Sequence, residues 1–352
     1  MNSRTYRVIQ WATGNVGLVA LRHFIENPTF ELAAVLVTNP AKVGRDAGEL
    51  AGVARTGVVA TADIEAIVAS EADCVHFAPS VPDIPMMCRL LRSGKNVVSP
   101  VGPFYRTERF RADFDAIAAA CREGGTTFHG SGIHPGFSGD LLPLTLTRIM
   151  DRVDHIHVHE VVDHFANPSK YIEYMGFGLD CDALLANPSR GPEAPHYFAQ
   201  SMALVAEAMG KKISKLTTSL EVAAATRDIA YPGGIVKAGT VAGQHYEWTG
   251  WVDDAPFITY HFYWKMGDHD VEPKWNCGEP GYRIVIEGNP PMQLIIPRPT
   301  TTDHDSRYIS LWTAMAGVNA IPVVCEAPPG FTSHLELGSF GPQGLIRRRQ
   351  SG

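Results

Sequence analysis

The residues best placed to do chemistry stand near the two ends of the first third of the chain. Ala12-Thr13-Gly14-Asn15-Val16-Gly17 follows a short β-type run, Arg7 to Gln10, and opens a helical stretch, Asn15 to Glu26. In that context Gly14 lets the backbone approach a pyrophosphate, and Gly17 lets the helix pack closely on its strand. The phosphates then sit on the unpaired N–H groups and positive dipole end of the helix. Ala12 takes the place of a first glycine, a small residue compatible with a tight turn. The chemistry this pattern predicts is dinucleotide binding.

A dinucleotide that carries hydride needs a proton donor held beside it. His134, in Gly132-Ile133-His134-Pro135-Gly136, is one candidate, because an imidazole titrates near neutrality; a positioning or packing role is the alternative. Tyr105 is a second, since its hydroxyl can polarise a carbonyl oxygen, or its ring can line an apolar pocket. Glu108 is the nearest carboxylate to that segment, and a helix-start carboxylate is the plainer reading of it. Glu160, Asp163, His164, Lys170 and Tyr171 gather near one strand end of the second half, where surface ion pairs are the ordinary alternative. Arg106 and Arg109 keep an acidic substrate open. His155, His157 and His159 alternate on one strand face and suggest a metal. Only Glu160, on the opposite face, supports them at short spacing, so a polar, partly solvated face is expected and no metal.

The elements that must hold these groups read clearly in the first third. Glu31 to Val37, Asp73 to Ala78, Asn96 to Ser99 and Thr126 to His129 are strand-like, separated by helix-like Ala62 to Ser70, Pro85 to Ser93 and Thr107 to Glu123. This alternation predicts an α/β fold with a doubly wound parallel sheet, whose ligands sit beyond the carboxyl ends of the strands. The rim of the site is then Thr13, Thr38-Asn39, Ala78-Pro79-Ser80, Ser99-Pro100-Val101 and Ser131 to Gly136, including Gly132 and His134. The second strand ends without the carboxylate that holds the ribose hydroxyls of NAD, and Lys42 and Arg45 follow. NADP is therefore expected over NAD, unless those two cations are only solvated loop charges.

Beyond about residue 150 strand-like segments follow one another with one clear helix, Tyr197 to Met209, between them. That texture predicts a C-terminal α+β domain with an open, mostly antiparallel sheet. A final helix, Arg307 to Ala316, leads into Asn319 to Val324. The expected organisation is residues 1–140 for dinucleotide binding, 141–306 for substrate binding and dimerisation, and 307–352 returning to the first domain. Aromatic residues crowd the second domain, including Trp248, Tyr260, Phe262, Tyr263 and Trp264, and suit a core, an interface or an apolar substrate pocket.

The 352 residues carry a net charge of -7, which gives no electrostatic reason to expect nucleic acid or an anionic membrane as partner. No signal peptide and no apolar run of membrane length is evident, so a cytoplasmic protein is expected. The six cysteines have no metal-binding or paired spacing.

Several segments together carry a resemblance: QWATGNVG at Gln10 to Gly17, NPAKVGRDAGEL at Asn39 to Leu50, GKNVVS at Gly94 to Ser99, GSGIHPGF at Gly130 to Phe137, and VNAIP with PPGF between Val318 and Phe331. The chain resembles the 2,4-diaminopentanoate dehydrogenase and native amine dehydrogenase family, within the dihydrodipicolinate reductase-like group. The resemblance implies an N-terminal Rossmann domain, a C-terminal domain shaping the substrate pocket, and a homodimer. It implies NAD(P)H-dependent reductive amination of a ketone or the reverse, on a small ketone, imine or amine. Family members carry a glutamate soon after the strand matching NVVS; here Ser99 to Tyr105 holds no carboxylate. Plain carbonyl reduction therefore stands beside amine chemistry, and a non-catalytic NADP(H)-binding sensor stands as the alternative.

Overall fold

The computed structural model describes residues 4–167, 171–188, 194–298 and 307–345. The chain divides into two compact units, Met1–Phe137 with Ile309–Gly352, and Ser138–Tyr308. The first unit begins β1 (Tyr6–Trp11), α1 (Asn15–Glu26), β2 (Phe30–Leu36), α2 (Ala47–Ala51), α3 (Ile64–Ala69), β3 (Cys74–Phe77), α4 (Ile84–Arg92), β4 (Asn96–Ser99), α5 (Arg111–Gly124) and β5 (Thr127–Gly130). Asp46, Asp63 and Asp83 start α2, α3 and α4, each accepting from a backbone N–H of the first turn. The strands are apolar on both faces because helices cover both sides of a parallel sheet. Val8, Ile9, Val75, Val97 and Phe128 are accordingly fully buried. Helix α5 starts four residues later than the sequence predicts, since Gly102 to Tyr105 stay buried before the chain surfaces.

The second unit holds α6 (Leu141–Thr147), β6 (Arg152–Asp163), α7 (Tyr171–Tyr174), α8 (Cys181–Ala186), α9 (Ala194–Ala208), β7 (Lys215–Ala225), β8 (Ile229–Tyr231), β9 (Gly234–Val236), β10 (Val241–Val252), β11 (Ala255–Lys265), β12 (Val271–Glu272), β13 (Gly281–Asn289) and β14 (Met292–Pro297). Seven of these strands form one sheet in the order β12-β7-β10-β11-β6-β13-β14. Every pairing is antiparallel except β11 with β6. Alternation along β11 sends Tyr260, Phe262 and Trp264 to an aromatic core, where Phe198 of α9 meets Trp248 and Phe262 with ring centroids 5.1 and 4.9 Å apart. His261 and Tyr263 take the opposite face.

The chain then re-enters the first unit through α10 (Arg307–Val318), α11 (Ile321–Glu326), β15 (Gly330–Thr332) and α12 (His334–Leu337). β15 pairs parallel with β5 and completes a six-stranded sheet ordered β15-β5-β4-β3-β1-β2. Three residues are too few to show alternation, so this strand is invisible in the sequence. Against the expectation of no membrane-length apolar run, Tyr308–Glu326 spans 19 residues and holds an 18-residue stretch with a mean hydropathy of 1.4. It is interrupted between α10 and α11, and its Ala314, Val318, Ile321 and Val324 pack in a buried cluster with Tyr6, Val8, Phe24 and Val98.

Candidate functional site

The carboxyl ends of β1, β2 and β3 surround a cavity of about 390 Å³. Ala12, Thr13, Gly14, Asn15, Val16, Thr38, Asn39, Lys42, Ala78, Pro79 and Ser80 line it. Gly14 is the N-cap of α1, with no side-chain cap and no acidic residue in the first turn. The first-turn N–H groups thus remain for an anion. A Cβ on Gly14 would meet no heavy atom within 4 Å, so the room beside its backbone is open. On Gly17 a Cβ would lie 2.2 Å from the Ala12 carbonyl oxygen, which only a glycine avoids. These features fit a dinucleotide pyrophosphate.

Ala12 has φ +69°, in the left-handed region that costs an L-residue roughly 1–2 kcal/mol. A buried network holds it there. The Gln10 amide nitrogen donates to the carbonyl oxygens of Ala12 (2.7 Å) and Trp11 (3.1 Å), and its oxygen lies 2.9 Å from His76 Nδ1. That amide oxygen can only accept, so His76 Nδ1 carries the proton. Gln10 and His76 are both wholly buried, and burial pushes the His76 imidazole down to about 3. Sequence reasoning misses this pair; its one signal is two polar residues inside apolar parallel strands.

At the end of β2, Asn39 accepts from the Ala41 N–H, and no carboxylate is present. The Lys42 ammonium donates to the Thr13 carbonyl (2.7 Å) and hydroxyl (3.1 Å), which fixes a cation at the turn between β1 and α1. Arg45 is exposed and outside the cavity lining.

Ser99, Pro100 and Val101 follow β4, and Gly132 and His134 follow β5; none of them lines the cavity described above. Ser99 is fully buried, and its hydroxyl accepts from the Val101 N–H at 3.3 Å. The Gly132 N–H donates to Pro135 O at 3.0 Å, and a Cβ on Gly136, at φ +116°, would sit 2.5 Å from Gly132 N. This closed loop carries half-buried His134. Tyr105 is 9% exposed. Glu108 is exposed and pairs with Arg111, and Arg106 lies over the Phe114 ring.

In the second unit Glu160 accepts from Trp264 Nε1 at 3.3 Å, and Asp163 accepts from the N–H groups of Phe165 and Gly267. His164 is 8% exposed. Lys170 lies outside the described residues, as does the side chain of Tyr171. The three alternating histidines do share a face, but the expected lack of supporting ligands does not hold. Neighbouring strands bring His245, His261, Glu247 and Glu287 to it, at sequence separations that no local spacing could reveal.

Residues 137–346 match the 2,4-diaminopentanoate dehydrogenase C-terminal domain, and residues 8–98 match the N-terminus of dihydrodipicolinate reductase. An amine dehydrogenase of Streptomyces virginiae is 32% identical over 97% of this chain and 99% of its own length. A 2,4-diaminopentanoate dehydrogenase of Acetoanaerobium sticklandii is 27% identical over 67% of this chain and 63% of its own. Among solved structures, the amine dehydrogenase from Mycobacterium smegmatis superposes with a TM-score of 0.76 at 19% identity, covering 96% of this chain and 98% of that one. The same fold, at a TM-score of 0.55 and 16% identity, occurs in a scyllo-inositol dehydrogenase from Lactobacillus casei, over 95% of this chain and 93% of that one. The chain belongs to the 2,4-diaminopentanoate dehydrogenase and amine dehydrogenase family, and it is an NAD(P)-dependent oxidoreductase of that family.

Proposed function

We propose that the chain is an NADP-preferring oxidoreductase that interconverts a small, fairly apolar ketone or imine with its reduced product, an amine where ammonia takes part. The observation that carries the cofactor preference is the end of β2, where Thr38, Asn39 and the pinned Lys42 ammonium line the cavity without a carboxylate. A 2′-phosphate gains a cation there, whereas ribose hydroxyls find no acidic acceptor. When bound, the cofactor supplies hydride transfer. The first-turn N–H groups of α1 hold the pyrophosphate, and Thr13 and Lys42 close its edge.

For the proton, His134 and Tyr105 are the proposed groups, each on a segment that leaves a strand of the parallel sheet at its carboxyl end. Tyr105 is buried, and His134 stands in the tight loop closed by Gly132 and Gly136. Glu108, paired with Arg111 in solvent, has no part in the proposal. Likeness to an amine dehydrogenase along nearly its full length supports amine chemistry. The carboxylate-free stretch from Ser99 to Tyr105 favours carbonyl reduction or an NADP(H) sensor. The family resemblance also supports a homodimer, checked by light scattering.

The test is NADPH and NADH oxidation over small ketones and aldehydes, with and without ammonia, for wild type, His134→Ala and Tyr105→Phe. Turnover that requires ammonia supports an amine dehydrogenase, and turnover without it makes the protein a carbonyl reductase. Tight NADPH binding with no turnover on any substrate would favour the sensor. Equal kcat/KM for the two cofactors would remove the NADP preference.

A further inference from the structure

We propose that His245, Glu247 and His261 form a binding site for a divalent transition-metal ion of the zinc type, on the face of the seven-stranded sheet opposite its aromatic core. Strand geometry builds the set. His245 and Glu247 are two residues apart on β10 and share a face, and Glu247 stands directly opposite His261 on β11. One ligand atom from each of the three lies within 4.8 Å of the others.

The distances suit metal ligands better than a tight hydrogen-bonded cluster. His245 Nε2 lies 3.5 Å from His261 Nδ1, and His261 Nδ1 lies 3.4 Å from Glu247 Oε2. Good hydrogen bonds from N–H run at roughly 2.7–3.2 Å, so both contacts are long for that purpose. Nitrogen and oxygen ligands about 2.0–2.2 Å from a tetrahedral zinc stand roughly 3.3–3.6 Å apart, and both contacts fall in that interval. The Glu247 side chain is 42% exposed, which leaves an approach for the ion and a fourth position for water.

The outer partners have the arrangement that orients metal-bound histidines. The second nitrogen of His245, Nδ1, has Glu221 Oε2 as its neighbour at 3.4 Å, itself long for a hydrogen bond, and Trp275 Nε1 donates to that same oxygen at 2.9 Å. The second nitrogen of His261, Nε2, lies 3.2 Å from His157 Nδ1. The neighbouring group of His155, His157 and Glu287 is the weaker candidate. There His155 Nε2 is engaged by the Thr259 hydroxyl at 2.8 Å, and the Glu287 side chain is 62% exposed.

The experiment is calorimetric titration of Zn2+ into untagged, chelator-stripped full-length protein, with Co2+ absorption as the second readout. Wild type is expected to bind one ion per chain and to give the strong visible bands of tetrahedral cobalt. Glu247→Gln and His245→Asn should each weaken binding at least tenfold while keeping the wild-type circular dichroism, and Glu287→Gln should leave affinity unchanged. No saturable binding by wild type overturns the proposal. So does binding that survives both Glu247→Gln and His245→Asn, or that is lost in Glu287→Gln.

Discussion

The sequence pattern gives Gly14 and Gly17 different jobs, and the space around each fits its own. Gly14 leaves the space beside its backbone open, as the proposed cofactor site needs, whereas Gly17 keeps the Ala12 carbonyl clear of the helix that follows. With φ −72° and no heavy atom within 4 Å of where a Cβ would stand, Gly14→Leu should fold and melt like wild type but lose NADPH binding. Gly17→Ala places a methyl 2.2 Å from that carbonyl oxygen and should cost about 1–3 kcal/mol, whether or not cofactor is present. Thermal melts with and without NADPH separate the two effects. A Gly14→Leu protein that still shifts its melting temperature with NADPH would remove the phosphate site from α1.

The turn between β1 and α1 depends on a side chain that lies within the strand itself. Gln10→Leu keeps the volume but strips the Ala12 carbonyl and the His76 N–H of their partner, in a place no water reaches. The expected cost is about 1–3 kcal/mol in a urea titration, together with weaker NADPH binding as Ala12 relaxes from its left-handed conformation. A variant as stable as wild type, with unchanged affinity, would make the network ornamental. Helix α1 and strand β4 are legible to the residue, because a glycine pattern and an apolar run state local facts. Gln10 is not, since a polar residue in a buried run reads as noise until its partner, 66 residues away, is known. The histidine face is half legible for the same reason: period two aligns His155, His157 and His159, but only the register of β11 against β6 and β10 adds the rest. Helix α6 escapes the sequence because its start depends on Asp140, which caps it from a stretch with no helical periodicity.

At the scale of the molecule, the first unit carries two fully buried histidines whose basicity burial pushes down to about 3, His76 and His129; the His334 ring adds to the effect on His129. An unfolded histidine takes its proton near pH 6.5, so between about 3 and 6.5 the unfolded chain binds more protons than the folded one. Stability is therefore full above that window and drains as pH falls through it, by up to about 1.4 kcal/mol per pH unit for each group. The urea midpoint should fall between about pH 7 and about pH 5, and His129→Phe should make that fall shallower. An unchanged wild-type midpoint over that range would contradict the assignment. The strand order carries a different consequence, about time. The seven-stranded sheet has all its strands once Pro297 has left the ribosome, but the six-stranded sheet, begun at Tyr6, waits for Gly330–Thr332. Until then β5 is a bare edge with unpaired N–H and C=O groups, so the unit whose synthesis starts first is the one that finishes last.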